Sequence, residues 1–210
     1  ENLVYAGGCG LNSSANRIIT DNNKYFKNIY IPYAPGDNGG ALGAALSVWH
    51  LHYKNERNIS LKSDSMKGSY LGPEFSNEEI KTALNSVGAI YKKLSEDKLI
   101  DSVANAIANQ KAVGWMQGRM EFGPRALGAR SIIADPRSPS MQKQLNLKVK
   151  YRESFRPFAP SVLRENVSDW FEHETDSPYM LLVADIKKDK RRLMTKKEEA
   201  LFGISKLNVR

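Results

Sequence analysis

Between Gly118 and Ser131 the chain reads Gly-Arg-Met-Glu-Phe-Gly-Pro-Arg-Ala-Leu-Gly-Ala-Arg-Ser, which sets three arginines among glycines and a proline. A guanidinium is a planar fork of donors that matches the oxygens of a phosphate or carboxylate, and it stays charged at any relevant pH. Glycine and proline beside it fix a loop able to aim those forks inward. Arg119, Arg125 and Arg130 are therefore candidates for gripping a phosphate-bearing molecule. Glu121 is placed either to hold one arginine's plane or to bind a hydroxyl. The plainer alternative is that Arg119 or Arg125 only pairs with a carboxylate such as Glu121 or Asp135.

A second basic group follows at Lys148, Lys150, Arg152 and Arg156, interleaved with Tyr151, Phe155 and Phe158. In an extended segment the spacing of Lys150 and Arg152 puts both on one face. Two such cations flanked by aromatics suit a phosphate with an attached planar group, although Phe155 and Phe158 serve a core equally well.

Seven of the fifteen glycines fall early, at Gly7, Gly8, Gly10, Gly36, Gly39, Gly40 and Gly43. They cluster at two strand-to-helix junctions, where glycine admits close approach of a ligand and a helix start favours an anion. Tight turns with close helix packing explain the same glycines. No GxxxxGK[ST] occurs, which excludes a P-loop.

The elements that must position these residues follow from periodicity. Leu3–Ala6 and Asn28–Ile31 read as strands, and Asn12–Ile19 as a helix. A second helix runs from about Ala41 to Tyr53, with Leu42, Leu46, Trp49 and Tyr53 on one face and Asp37 or Asn38 as its cap. Residues 56–75 read as a linker. Ser76 and Glu79 are spaced as a capping box that opens a short helix to Val87. Ala89–Leu94 is expected as a strand, Asp97–Gln110 as a helix, and Ala112–Met116 as a buried strand. Ser131–Ala134 is a strand, Met141–Lys148 a helix, and Pro157–Leu163 a strand. The class is α/β, grading into mixed α+β in the second part.

The 210 residues carry 41% hydrophobic side chains, enough for a core, and a net charge of +8 that favours anionic partners. Much of the excess lies in a lysine-rich stretch from Lys187 to Lys197, which reads as a solvated surface. The single cysteine, Cys9, rules out an intrachain disulfide and fits a reducing cytoplasm. No apolar run approaches a membrane span.

The stretches AGGCGLNSSAN and PYAPGDNGGALGAAL resemble the end of the actin/hexokinase-type ATPase domain of the O-carbamoyltransferases that act in nodulation-factor and antibiotic biosynthesis. VGWMQGRMEFGPRALGARSIIADPR and KVKYRESFRPFAPSVL resemble that family's second, YrdC-like domain. Ala129 is a departure, since the family commonly carries asparagine there. The resemblance implies a remnant of the ATPase-type domain at 1–55, the linker at 56–75, and a YrdC-like mixed-sheet domain at 76–210. It implies that Gly7, Gly8, Asn12, Asn16, Asp37, Gly39 and Gly40 face a nucleotide. Arg119, Arg125, Lys150 and Arg152, with Glu121, Arg130, Arg156 and the hydroxyls of Ser131 and Ser161, would then hold carbamoyl phosphate and ATP with its magnesium. The activity implied is formation of carbamoyl-adenylate and transfer of the carbamoyl group to a hydroxyl of a small-molecule acceptor.

The family's metal, iron or another divalent ion, is held by histidines. Here only His50, His52 and His173 occur, and His50 and His52 do not share a helix face, so no metal site is expected. The chain opens within a strand and reads as truncated, so full turnover alone is not expected. Exposed partner surfaces of such a piece favour association of copies. Two rivals remain: a YrdC-like nucleotide- or RNA-binding module, disfavoured because the cations lie in shaped loops, and a non-catalytic remnant with residual nucleotide affinity.

Overall fold

Asn12 stands just ahead of an apolar-periodic run, and its side-chain oxygen accepts from the Ala15 amide at 3.1 Å, capping a helix at the position where the sequence supplies a capping residue. In the computed structural model, which describes residues 1–59 and 64–209, the chain divides into two compact units. Unit 1 comprises residues 1–75, 116–130 and 173–185, and unit 2 comprises residues 76–115, 131–172 and 186–210.

Unit 1 opens with strand β1 (Asn2–Val4), helix α1 (Ser13–Asp21) and strand β2 (Asn28–Tyr30). The strands are parallel, with Leu3 opposite Ile29 and the Asn28 amide donating to Asn2 at 2.8 Å. A helix crossover is the ordinary way to join parallel neighbours. Helix α2 (Asp37–Ser47) begins four residues earlier than expected. Its cap is Gly36, and neither Asp37 nor Asn38 fills that role. The helix also ends early: after Ser47 the chain widens into a π-type turn at Val48–His52. The apolar face expected through Tyr53 is consequently broken, and Leu46, Trp49 and Tyr53 are all exposed.

Residues 60–63 of the stretch read as a linker lie outside the described residues, while residues 64–75 belong to unit 1. That second part pairs with the arginine segment: Gly72 N donates to Met120 O at 2.9 Å, Met120 N to Pro73 O at 2.9 Å, and Phe122 N to Ser69 O at 2.6 Å. Asp64 accepts from the Met66 and Gly68 amides and from the Tyr179 hydroxyl. The 173–185 segment adds the buried Leu181 and an ion pair of Arg17 with Asp185 at 2.8 Å.

Unit 2 starts with helix α3 (Asn77–Ser86), opened by the Ser76–Glu79 capping box, and helix α4 (Glu96–Ala108). The segment between them, 89–94, is not a strand. Ala89 N is spent on Leu84 O, closing the helix exit, and no strand pairs with the segment among the described residues. Strands β3 (Val113–Met116) and β4 (Arg130–Ile133) form a second two-stranded sheet. β3 alternates half-buried and exposed residues, so it is not the buried strand expected.

Helix α5 (Met141–Gln144) runs into a π-type turn at Leu145–Val149, which replaces the regular helix expected to Lys148. Residues 157–163 form no ladder. Pro157 and Pro160 each lack the amide a ladder needs. Short helices α6 (Val167–Trp170) and α7 (Lys196–Glu199) follow, with a bridge between Phe171 and Ile186. Both units are thus small mixtures of helix and sheet, as an α/β reading requires.

The described core is as polar as it is apolar. Ala34, Ala129, Met141, Leu145 and Leu181 are buried, and so are Asn16, Ser69, Glu121, Asp135 and Asn146.

Candidate anion-binding site

The arginine segment is a closed loop in unit 1. At its base Gln117 N donates to Ala129 O at 2.9 Å. Inside it lies Glu121, whose side chain has no exposed surface. Its Oε1 accepts from Leu127 N at 2.6 Å and Ala129 N at 2.8 Å, and its Oε2 accepts from Arg130 Nε at 3.1 Å. Arg130 Nη2 also donates to the Gly123 carbonyl. Burial pushes the Glu121 carboxyl up, but the backbone amides of Leu127, Glu121, Ala129 and Arg130 together outweigh it and hold the group below the usual carboxylate range. Gly123 makes the turn possible, with φ at +124° and the place of a Cβ only 2.7 Å from Asn38 Nδ2.

Arg125 sits in the middle of this loop. Its Nη2 donates to Leu11 O at 2.9 Å, while its Nε is enclosed without a hydrogen-bond partner. Arg119 is half-exposed, donates to Gly72 O at 2.8 Å and lies 3.3 Å from Glu74. For Arg119 the carboxylate-pairing alternative holds, with Glu74 as the partner, while Glu121 is engaged with Arg130 and Asp135 with Arg137 at 2.8 Å. Among the described residues Arg125 pairs with no carboxylate. Of the two roles open to Glu121, the geometry shows the arginine-holding one. Its two oxygens are both used within the loop, and it has no surface for a hydroxyl.

The glycine-rich junctions belong to the same unit. Gly7 N donates to Pro35 O at 2.7 Å. Gly39 is demanded by packing, because a Cβ there would stand 1.7 Å from Ala34 O. At Gly7, Gly8 and Gly40 no described atom comes within 4 Å of the Cβ position, so these three border open space. Asp37 is exposed at the start of α2. Asn12 is occupied as a helix cap. Asn16 is fully buried, and its Nδ2 donates to Gly10 O at 2.8 Å and Leu181 O at 2.9 Å. Asn16 therefore ties the loop to the 173–185 segment and offers a nucleotide no surface.

The second basic group lies in unit 2. Lys150 and Arg152 are not in an extended segment: Lys150 N closes the helical turn onto Leu145 O, and Tyr151 has a φ of +49°. The expected shared face is lost with the extended backbone. Arg152 donates from Nε to Asn146 Oδ1 at 2.6 Å and stacks 4.9 Å over Phe158. Arg156 pairs with Glu153 at 2.8 Å. Ser131 lies in β4, and Ser161 is exposed after it in the irregular segment.

The fully buried Asn146 escapes a reading of the sequence. Its Nδ2 donates to Ser154 O at 3.1 Å and Arg156 O at 2.8 Å, and Gln142 donates to Phe155 O and Arg156 O, both at 3.2 Å. Gln142 and Asn146 are four residues apart, one helical step, and that repeat of amides beside buried Met141 and Leu145 was the available signal.

Residues 1–46 match the family described as Carbamoyltransferase N-terminus, and residues 104–198 match Carbamoyltransferase C-terminus. The chain belongs to the carbamoyltransferase family. It is 36% identical to nodulation protein NolNO of Sinorhizobium fredii, over 92% of this chain and 28% of that protein. Identity is 37% to nodulation protein NolO of Bradyrhizobium diazoefficiens, over 91% of this chain and 35% of that one. It is 57% identical, over its whole length, to an uncharacterized Synechocystis protein of which it covers 34%. The chain spans about a third of the length of the curated relatives it matches.

Among the described residues no three His, Cys, Asp or Glu side chains lie together to hold an ion. His50 Nδ1 is 2.8 Å from Asn55 O, the His52 ring is 5.0 Å from that of Tyr53, and His173 is 3.4 Å from Thr175. Among the described residues no helix is long and apolar enough to cross a membrane.

Proposed function

We propose that this chain carries the phosphate-binding part of an enzyme in which water releases inorganic phosphate from carbamoyl phosphate, and the resulting carbamate attacks the α-phosphorus of ATP to give carbamoyl-adenylate with loss of pyrophosphate. The acceptor's hydroxyl oxygen then attacks the carbamoyl carbon, AMP leaves, and a carbamate ester of a small molecule results. The observation that carries the reading is the closed, family-matched loop in which Arg125 is left without a carboxylate partner. A guanidinium fixed before the anion arrives needs little rearrangement to receive it, and it offsets the repulsion between two phosphate-bearing reactants.

Residues 1–55 fit the end of an actin-like ATPase-type domain, with Gly7, Gly8, Asp37 and Gly40 beside the nucleotide. The 104–198 region fits a YrdC-like domain, and within unit 1 Arg119 adds a contact to the phosphates held by Arg125. A cytoplasmic enzyme whose copies associate through exposed apolar surface is consistent with these assignments. The RNA-binding alternative gains little from the lysine-rich stretch. There Arg191 faces Glu172 at 3.7 Å, Arg192 faces Glu198 at 2.6 Å, and Lys190 faces Asp189 at 3.6 Å.

Calorimetry with ATP, carbamoyl phosphate and both tests the reading. Saturable binding of each is expected, and Arg125→Ala should weaken carbamoyl phosphate by more than about tenfold, the scale of one charge-assisted hydrogen bond. Flat titrations, or an unchanged affinity in the variant, overturn it. Steady carbamoylation of an acceptor by this chain alone would overturn the further expectation that it binds without completing turnover.

A further inference from the structure

We infer that Glu121 is a positioning residue of the anion site: its buried carboxylate fixes the 121–130 loop and so presents Arg125 to a phosphate. The inference rests on the reading of Arg125 given above and assigns a task to a group that reading leaves unexplained. A carboxylate in a site built for anions is unfavourable in two ways. It is desolvated, and it opposes the charge of the incoming ligand. Here the geometry answers both. Three donors from the loop itself surround the carboxylate: two backbone amides at 2.6 and 2.8 Å and the Arg130 guanidinium at 3.1 Å.

With no exposed surface, Glu121 cannot touch a ligand, so its effect on binding must pass through the loop. That loop is shaped by these bonds at nearly every point. Arg130 reaches from Glu121 to the Gly123 carbonyl, Gln117 closes the base on Ala129, and only the Pro124–Ala126 apex is left outside the clamp. Arg125 is the apex residue. Arg130 is spent inside, so the loop divides its two cations into one that builds and one that binds.

Glu121→Gln keeps the shape but turns one acceptor into a donor facing an N–H or a guanidinium. Arg130→Lys is a milder lesion that removes only the Nε and Nη2 bonds. Both are to be titrated with inorganic phosphate beside the parent chain and Arg125→Ala, with amide exchange read at Leu127 and Ala129 and helix α4 as control. Glu121→Gln should lose protection at the two loop amides but not in α4, and should bind phosphate about tenfold more weakly; Arg130→Lys should fall between it and the parent. An acid series with sulfate, whose charge is constant over the range, should show a binding step in the parent that is missing in Glu121→Gln. Loss of the step with protection in α4 unchanged separates a positioned site from general unfolding.

Phosphate affinity within twofold of the parent in Glu121→Gln, with Arg125→Ala impaired, overturns the positioning role and leaves the reading of Arg125 standing. Unimpaired binding by Arg125→Ala, or none by the parent, overturns both. If Glu121→Gln does not fold, Arg130→Lys decides: full affinity in it sinks the inference.

Discussion

Glu121 and Asn146 solve one problem with opposite chemistry. Glu121 accepts three hydrogen bonds from a cation-bearing loop, whereas Asn146 donates two and accepts one from Arg152. Because the Glu121 carboxyl is held below its ordinary range, the loop gains a stabilisation that is fully present above the unfolded value of about 4.3. It is lost as pH falls through the lowered folded value. The protection of the Leu127 and Ala129 amides, their exchange compared with the intrinsic rate at the same pH, should accordingly stay high at neutral pH and fall only below the ordinary carboxylate midpoint. A fall in protection already near pH 6 would contradict the sign. At Asn146 the charge is absent and the lesion is plainer. Asn146→Leu leaves the Ser154 carbonyl and the Arg152 Nε without the Asn146 side chain, and the Arg156 carbonyl with Gln142 alone, and should lower unfolding stability by about 2 kcal/mol, read from denaturant midpoints. The arginines were legible in the sequence because glycine and proline punctuate them. Glu121's tie to an arginine was legible too, but its amide partners were not, since contacts at six and eight residues follow no helical or strand period.

Local capping chemistry dictated element starts far better than element ends. The Ser76–Glu79 box formed as the spacing requires, and Ser76→Ala should weaken α3 by about 1 kcal/mol, seen as faster exchange in its first turn. A strand has no such local signature, because it exists only where a partner supplies its ladder. Residues 89–94 and 157–163 have the composition of strands but no partner. The glycines of α2 show how one residue type hides two tasks. Gly39 meets Ala34 O, so Gly39→Ala should cost unit 1 about 1–3 kcal/mol through overpacking, while Gly40→Ala, beside open space, should leave thermal stability nearly unchanged. Equal midpoints for the two variants would refute the packing argument. Spacing alone could not separate these neighbours, since the carbonyl that distinguishes them comes from a turn the sequence does not specify.

At the scale of the molecule, the family was legible from two dense motif blocks. Unit 1 takes its residues from three separate stretches, so a cut after Phe75 removes the arginine loop, Tyr179 and Leu181 from it. A piece ending at residue 75 should therefore lack a cooperative melt by circular dichroism; a sharp transition matching the parent's would show that β1, α1, β2 and α2 suffice. The same threading sets near contacts beside distant ones. The Glu121 clamp joins groups six to nine residues apart, whereas Arg125 meets Leu11 across 114 residues and Asn16 meets Leu181 across 165. Closing a ten-residue loop takes about 10–100 ns, and distant contacts wait on far slower searches. The loop thus has local contacts with which to take its shape, whereas the rest of unit 1 depends on joining distant parts of the chain.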